Sequence, residues 1–418
     1  MANIEIRSVE GLAGSAVPYA YAVKAGPWLF LTGHEAFDFA AGPAPEVEGP
    51  AGFPSFGAPR LKREAEYILK RMRKTLAEFG SDFRSSVRVD QYYPSFEAVR
   101  AYQLARHGEF GDYIPPSTSV LMERLFSASS HICMSMIAVV PGKDTGIGKL
   151  YPKESPVPAG SFFVPAVTCG DFVFVAGQMA TDENALDPSV RMPKERTFGG
   201  PNAVRRQTEF VIRKRLEPML KAGGSSWQNV LKAQIYVPTA ADIPDALDVW
   251  HQHVGAHPCA LTAVPTHGFG FIDGVVEINL LALRDGAKRK KEVLKVDLPA
   301  MSTYGACVRA GELVFPSGLM PVGFPSSDPF DGLSHAAQVQ ALAVLSSADK
   351  ICRAAGTTPA NIVRAQWFMA DVKQFPGVEL AWMGRHGKQP HPFVCVQTPR
   401  PLPAQGAALT ADFWIYAP

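Results

Sequence analysis

The chain has 418 residues, 47% of them hydrophobic and 19% charged, the composition of an ordinary globular protein with material for about two to four domains. A formal net charge of +2 excludes the strong basic field that gathers nucleic acid or an anionic membrane surface. No run of about 18 apolar residues is present to span a bilayer.

The N-terminus carries no apolar leader pattern, and the 6 cysteines form no CxxC pair. A zinc knuckle or thioredoxin-like site is therefore not expected, and the thiols read as small core residues of a cytoplasmic chain.

The first predicted unit covers 1–145. AYAVKAG at 20–26 turns at Gly26-Pro27 and returns as WLFLTG, a hairpin pattern. A Gly/Pro-rich stretch at 41–60 reads as a loop. Ala65, Ile68, Leu69, Met72, Leu76 and Phe79 then recur at helical spacing, and Gly80 closes the helix. A strand at 87–93, a second helix at 96–109, a strand after Pro115 and a closing strand ICMSMIAVV complete the unit.

The second unit, 159–286, repeats the order: a hairpin ending in FVFVAG, a loop at about 183–201, and a helix carrying Val211, Ile212, Leu216, Met219 and Leu220. Pro218 is expected to disturb that helix's last turn. A strand at 231–237, a helix at 243–254, a strand after Pro258 and the strand VVEINLLAL follow. The basic run Lys288-Arg289-Lys290-Lys291 reads as a solvated linker, within connectors at about 145–158 and 287–298. The third unit, 298–418, runs from the hairpin ending in LVFPSG through a loop at 321–333, a helix from Ala336 to Ala355, and the closing strand LTADFWIYA.

Gly33, Gly177 and Gly318 thus end the same strand at intervals of about 140 residues, the size of a whole small domain. Segments after the helix-closing glycines match closely: SDFRSSVRVDQYY, SSWQNVLKAQIYV and TTPANIVRAQWFM. The order β-β-loop-α-β-α-β-β predicts an α+β fold, a mixed sheet with two helices on one face. Three such units in one chain can cover their bare sheet faces by packing around a pseudo-threefold axis.

With PYAYAVKAG…LFLTGHE in the first unit, the chain resembles the RidA/YjgF imine-deaminase family, whose opening signature runs roughly GPYSxAVxxGxxxxxSGQ. The resemblance extends over all three units. It implies tandem chorismate-mutase-like (RidA-like) domains arranged as a pseudo-trimer, ligand clefts between units, a small-molecule substrate and no cofactor or metal. In the family, an arginine of a P-A-R-S motif grips the substrate carboxylate, and a glutamate on the last strand handles the attacking water.

The arginine position falls on Ser117, Ala260 and Val394, so all three units have lost it. The glutamate position holds Cys133, Glu277 and Thr410; the tyrosine position Tyr19, Phe163 and Tyr304; the serine position Thr32, Ala176 and Ser317. An asparagine position falls on Arg100, Asp248 and about Glu379.

Glu277 is therefore the candidate catalytic residue. Ser317, Tyr304, Tyr19, Thr32, His34 and Arg100 are candidate substrate-binding residues, with Arg100 a replacement for the missing clamp. Ser317 and Thr32 serve equally well as small residues at a tight turn, and the tyrosines as wall aromatics. His34 titrates near neutrality and offers an acid or base. His251 and His253 point to different faces of their helix, so they do not share a metal.

The expected activity is hydrolysis or deamination at an imine, enamine or cyclic amide carbon. The substrate either lacks the usual carboxylate or has it held by a different cation. A chorismatase-like enzyme and a non-catalytic binding or scaffolding protein are the alternatives, and further association of the pseudo-trimer stays open.

Overall fold

A computed structural model of the chain describes residues 4–10, 15, 17–39, 42–50, 57–158, 162–182, 185–192, 202–270, 273–323 and 334–418. Three mixed sheets of 7, 6 and 7 strands carry it. Each is built on one plan. In the second, the order is Ile147–Leu150, Ala166–Cys169, Phe172–Gln178, Glu277–Leu283, Val230–Val237, Ala260–Pro265.

The two strands that flank the second helix, Val230–Val237 and Ala260–Pro265, pair in parallel, and all their other neighbours are antiparallel. A parallel pair requires a crossover, which the helix Ile243–Val254 supplies. The helices Phe96–Phe110 and Phe375–His386 do the same in the other sheets.

The repeated α+β order is thus the one the periodicities predict. The connectors differ from expectation. Ile147–Leu150 and Lys291–Leu294 are edge strands, paired antiparallel with Ala166–Cys169 and Cys307–Ala310, as Ile4–Val9 is with Tyr19–Ala25. The basic run is anchored too, because Arg289 binds Asp171 at 3.2 Å and Glu312 at 2.8 Å.

A short helix, Pro45–Glu48, interrupts the stretch expected to be loop at 41–60. Most of the loops expected at 183–201 and 321–333 lies outside the described residues. Among the described residues no helix is long and apolar enough to cross a membrane.

The long helix of the second unit is irregular. Ala203–Phe210 is α-helical, Val211–Leu216 is π-helical, and Glu217–Ala222 resumes the α form. Pro218 has no N–H to give and its ring crowds the carbonyl four residues back, so the disturbance falls in the preceding turn. The corresponding helices Arg60–Glu78 and Ser334–Ala354 are continuous.

The sheets meet one another directly. Phe30, Phe174, Leu281, Phe315 and Trp414, drawn from all three, share one buried cluster. Beside it the middle strands place Arg88, Lys232 and Arg364 in the interior, with Asp90 and Asp412 as counter-charges. Arg88 binds Asp90 at 2.9 Å, Lys232 binds Asp412 at 2.9 Å, and Arg364 reaches across to Asp90. Gln234 donates to Gln366 at 2.8 Å. Pairing within and between the sheets offsets these charges in part; Arg364 Nε and Nη1 and Asp412 Oδ1 have no hydrogen-bond partner among the described residues.

Two short strands are also exchanged. Gly268–Phe269 adds to the edge of Ser117–Leu121, and Arg124–Leu125 adds to Phe393–Gln397.

Candidate functional site

The junction between the first and second units holds a small cavity of about 80 Å³, room for several water-sized groups. Its floor is formed where Phe172–Gln178 pairs with Glu277–Leu283. The register slips between Val175 and Gln178, which brings Gly177 against the side chain of Glu277. A Cβ on Gly177 would stand 1.8 Å from Glu277 Oε1 and 2.7 Å from Cδ. Only glycine leaves space for that carboxyl.

The first unit supplies the opposite wall from Ser117–Leu121 and the helix Phe96–Phe110. Ser119 N donates to Glu277 Oε1 at 3.2 Å. The Ser119 hydroxyl donates to Gln91 Oε1, and Gln91 Nε2 donates to Tyr102 at 3.0 Å. Ser117, Arg106, Gln178 and Arg215 also line the space, with Phe163 beside them. Main-chain pairing next to Phe163, from Val164 N to Ile114 O at 2.9 Å, ties the two units together.

Burial dominates the electrostatics. Glu277 is 4% exposed, and burial pushes its carboxyl up to about 8, against the pull of the Ser119 N–H and with a small push from Asp90. At neutral pH it holds a proton. Arg215 is equally enclosed, and burial pushes it down to about 10, so it keeps its charge. Its Nε donates to Gln178 Oε1 at 3.2 Å. Such an arrangement supplies a proton donor, hydroxyls and guanidinium groups around a space that fits a small molecule.

The other candidate residues are not gathered here. Tyr19, Thr32 and His34 lie at the junction of the first and third units. Tyr19 OH donates to Gly33 O at 2.5 Å, Thr32 Oγ1 donates to Ala20 O at 2.7 Å, and His34 Nδ1 lies 2.8 Å from Thr32 O. The ring of Tyr19 packs on Phe39 and Phe393, and its backbone bridges to His391. Burial holds His34 down at about 4, neutral and sealed from solvent.

Ser317 and Tyr304 lie at the junction of the second and third units. Ser317 Oγ accepts from Leu261 N at 2.8 Å and donates to Ala306 O at 2.6 Å. Gly318 N donates to Leu261 O at 3.0 Å, closing that seam with main chain. Tyr304 packs against the core of the second unit. Neither residue reaches Glu277.

Arg100 is exposed on the helix Phe96–Phe110 and does not line the cavity. Arg106, further along the same helix, is the buried one.

Arg106 and Arg215 are residues the sequence reading passed over. Each occupies a buried position within an apolar stripe: Arg106 among Val99, Tyr102 and Phe110, Arg215 among Ile212, Leu216 and Met219. A guanidinium at such a phase was the available signal. Among the described residues no cluster of three or more His, Cys, Asp or Glu side chains could hold a metal.

The sequence model of a family described as Endoribonuclease L-PSP matches residues 153–284 and 295–407, more than half of the chain. No curated protein matches it. Among similar solved structures, a putative endoribonuclease from Thermotoga maritima is 23% identical over 33% of this chain and 98% of its own, with a TM-score of 0.27. RidA from the Antarctic bacterium Psychrobacter sp. is 20% identical over 32% and 98%, with a TM-score of 0.27. A chorismatase is 13% identical over 66% and 79%, with a TM-score of 0.45.

Proposed function

We propose, from the premise that this chain belongs to the Endoribonuclease L-PSP family and hence to the RidA/YjgF proteins it resembles, that it is a small-molecule hydrolase or deaminase. Its site is the cleft between the first and second units of an intramolecular pseudo-trimer. It acts at the carbon of an imine, enamine or cyclic amide. With its six thiols free and buried, the chain suits the reducing cytoplasm.

The observation that carries this reading is the place of Glu277: a buried carboxyl, held by the Ser119 N–H, on the wall of a cavity shared by two units, where burial raises its pKa. Such a group donates its proton to the nitrogen of an imine or cyclic amide, or to the β-carbon of an enamine to give the iminium, and becomes a carboxylate. The carboxylate then accepts a proton from the water that adds to the carbon. Glu277, reprotonated by that water, then gives its proton to the leaving nitrogen and takes the hydroxyl proton as the tetrahedral carbon collapses to the carbonyl, releasing ammonia or the amine of an opened ring. Ser117 and Ser119 provide hydroxyls to orient the attacked group.

The other two junctions are occupied by side chains and main chain among the described residues, by Tyr19, Phe39, Phe375 and Phe393 in one and by the Ser317 seam in the other. This supports one working cleft with two structural ones.

The test is a screen of imines, cyclic amides and chorismate against wild type and Glu277→Gln. Turnover of an imine or cyclic amide that the substitution abolishes supports the reading. Turnover that survives it removes Glu277 from the mechanism. Turnover of chorismate alone favours the chorismatase alternative, and tight binding with no turnover favours a binding protein.

A further inference from the structure

Aligned on the glycines that close them, Gly80, Gly224 and Gly356, the three long helices carry Arg71, Arg215 and Ser347 at one position. Their fates differ. Arg71 is used inside its own unit: it donates to Phe37 O at 3.0 Å, lies 3.9 Å over the ring of Phe39, and approaches Asp38 at 3.7 Å. Ser347 leans back to Ala343 O.

Arg215 is 3% exposed, bonds through Nε to Gln178, and has no carboxylate within ion-pair distance among the described residues. No neighbouring charge contributes to its shift, and burial alone opposes its ionisation. A buried guanidinium without a counter-ion is costly, and its planar fork matches a carboxylate bidentately.

We infer that Arg215 is the anion clamp of the Glu277 cleft, and that the substrate carries a carboxylate or similar planar monoanion beside the carbon attacked. This rests on the reading of Glu277 as the proton donor. The strand position at Ser117 is too short to hold an anion by charge, and the guanidinium enters instead from the long helix of the second unit. Gln178, bonded to Nε, fixes the plane of the fork and leaves the Nη groups for a bidentate contact. A substrate so held presents its neighbouring carbon to Glu277 in the same space, about 80 Å³, which admits a small acid.

Propanoate and propanamide, equal in size and differing in charge, test this by ligand-observed NMR titration of the full chain. Wild type is expected to bind propanoate at least tenfold more tightly. Arg215→Met should erase that preference and Arg215→Lys should keep part of it. Gln178→Glu, which gives Arg215 an internal carboxylate, should erase it without removing the arginine. Arg71→Met should leave it intact.

Absence of a preference in wild type, or its persistence in both Arg215→Met and Gln178→Glu, would overturn the clamp. If Arg215→Met does not fold, Gln178→Glu and Arg215→Lys decide.

The two readings fail separately. Turnover of carboxylate-bearing imines or cyclic amides that is untouched by Arg215→Met but lost in Glu277→Gln sinks the clamp alone. An Arg215-dependent propanoate preference with no hydrolysis of any imine, enamine or cyclic amide sinks the hydrolase reading and leaves the clamp.

Discussion

A carboxyl held near pKa 8 by burial binds a proton in the folded chain that the unfolded chain, with its value of 4.5, releases at lower pH. Between those values the folded state carries more protons, so the stability attached to Glu277 is complete below about pH 4.5 and is lost as pH rises through 8. Glu277→Gln removes this dependence. The variant should be more stable than wild type at pH 7, by up to about 3 kcal/mol, and equal to it near pH 4.5. Denaturant midpoints at the two pH values check this, and a variant weaker than wild type at pH 7 would show Glu277 to be a structural group.

The glycines differ in the same local terms. At Gly33 a Cβ meets nothing nearer than 3.4 Å, whereas at Gly177 it meets the Glu277 carboxyl. Gly177→Ala should therefore cost about 1–3 kcal/mol by overpacking and displace Glu277. Gly33→Ala should cost less, on the order of 1 kcal/mol or below. Thermal melts of the two variants, compared with wild type, decide it.

At the scale of elements, the cleft depends on strands that cross between units. Phe269, on the strand added to Ser117–Leu121, is buried with Tyr92, Val120, Met179 and Tyr236 from both sides of the junction. Phe269→Ala should cost about 3–5 kcal/mol and loosen the wall that carries Ser119. Denaturation and a drop in any Glu277-dependent turnover would register both effects.

The elements themselves were legible in the sequence because alternation and helical spacing are strong in every unit. Ser86–Tyr93, Val230–Val237 and Ile362–Met369 follow directly from their patterns. The edge strand Ile147–Leu150 was not legible, since four residues in a polar stretch carry no such signal. Glu277 could be found from the family position that the units share, yet its neighbours from the first unit could not. Alignment compares units with one another, while the cleft joins Glu277 of one unit to Ser119 and Arg106 of another. For the same reason Ser317, Tyr304, Tyr19, Thr32 and His34, each at a matching position of its own unit, belong to other junctions.

For the whole molecule, the central charges make the three sheets interdependent. Asp412 faces Lys232, and its Oδ2 also accepts from Gln234 at 3.1 Å. Asp412→Asn leaves three buried cations with Asp90 alone and should cost about 3–5 kcal/mol. The loss should appear as a shift of a single unfolding transition, because the shared core joins all three sheets. A separate early transition of one unit would contradict that coupling.

Among the described residues the three junctions carry different side chains, with Glu277 at one, Tyr19 at another and Ser317 at the third, an inequality that a single chain permits and a homotrimer of identical subunits does not. The most direct measurement of this account is kcat/KM for a hydrolysed imine or cyclic amide across pH 6 to 10, in wild type and Glu277→Gln. Loss of the acid above its pKa predicts a wild-type rate that falls on the alkaline side of about pH 8 and a variant slower by about 100-fold or more. A flat wild-type profile, or a variant that retains the wild-type rate, would contradict it.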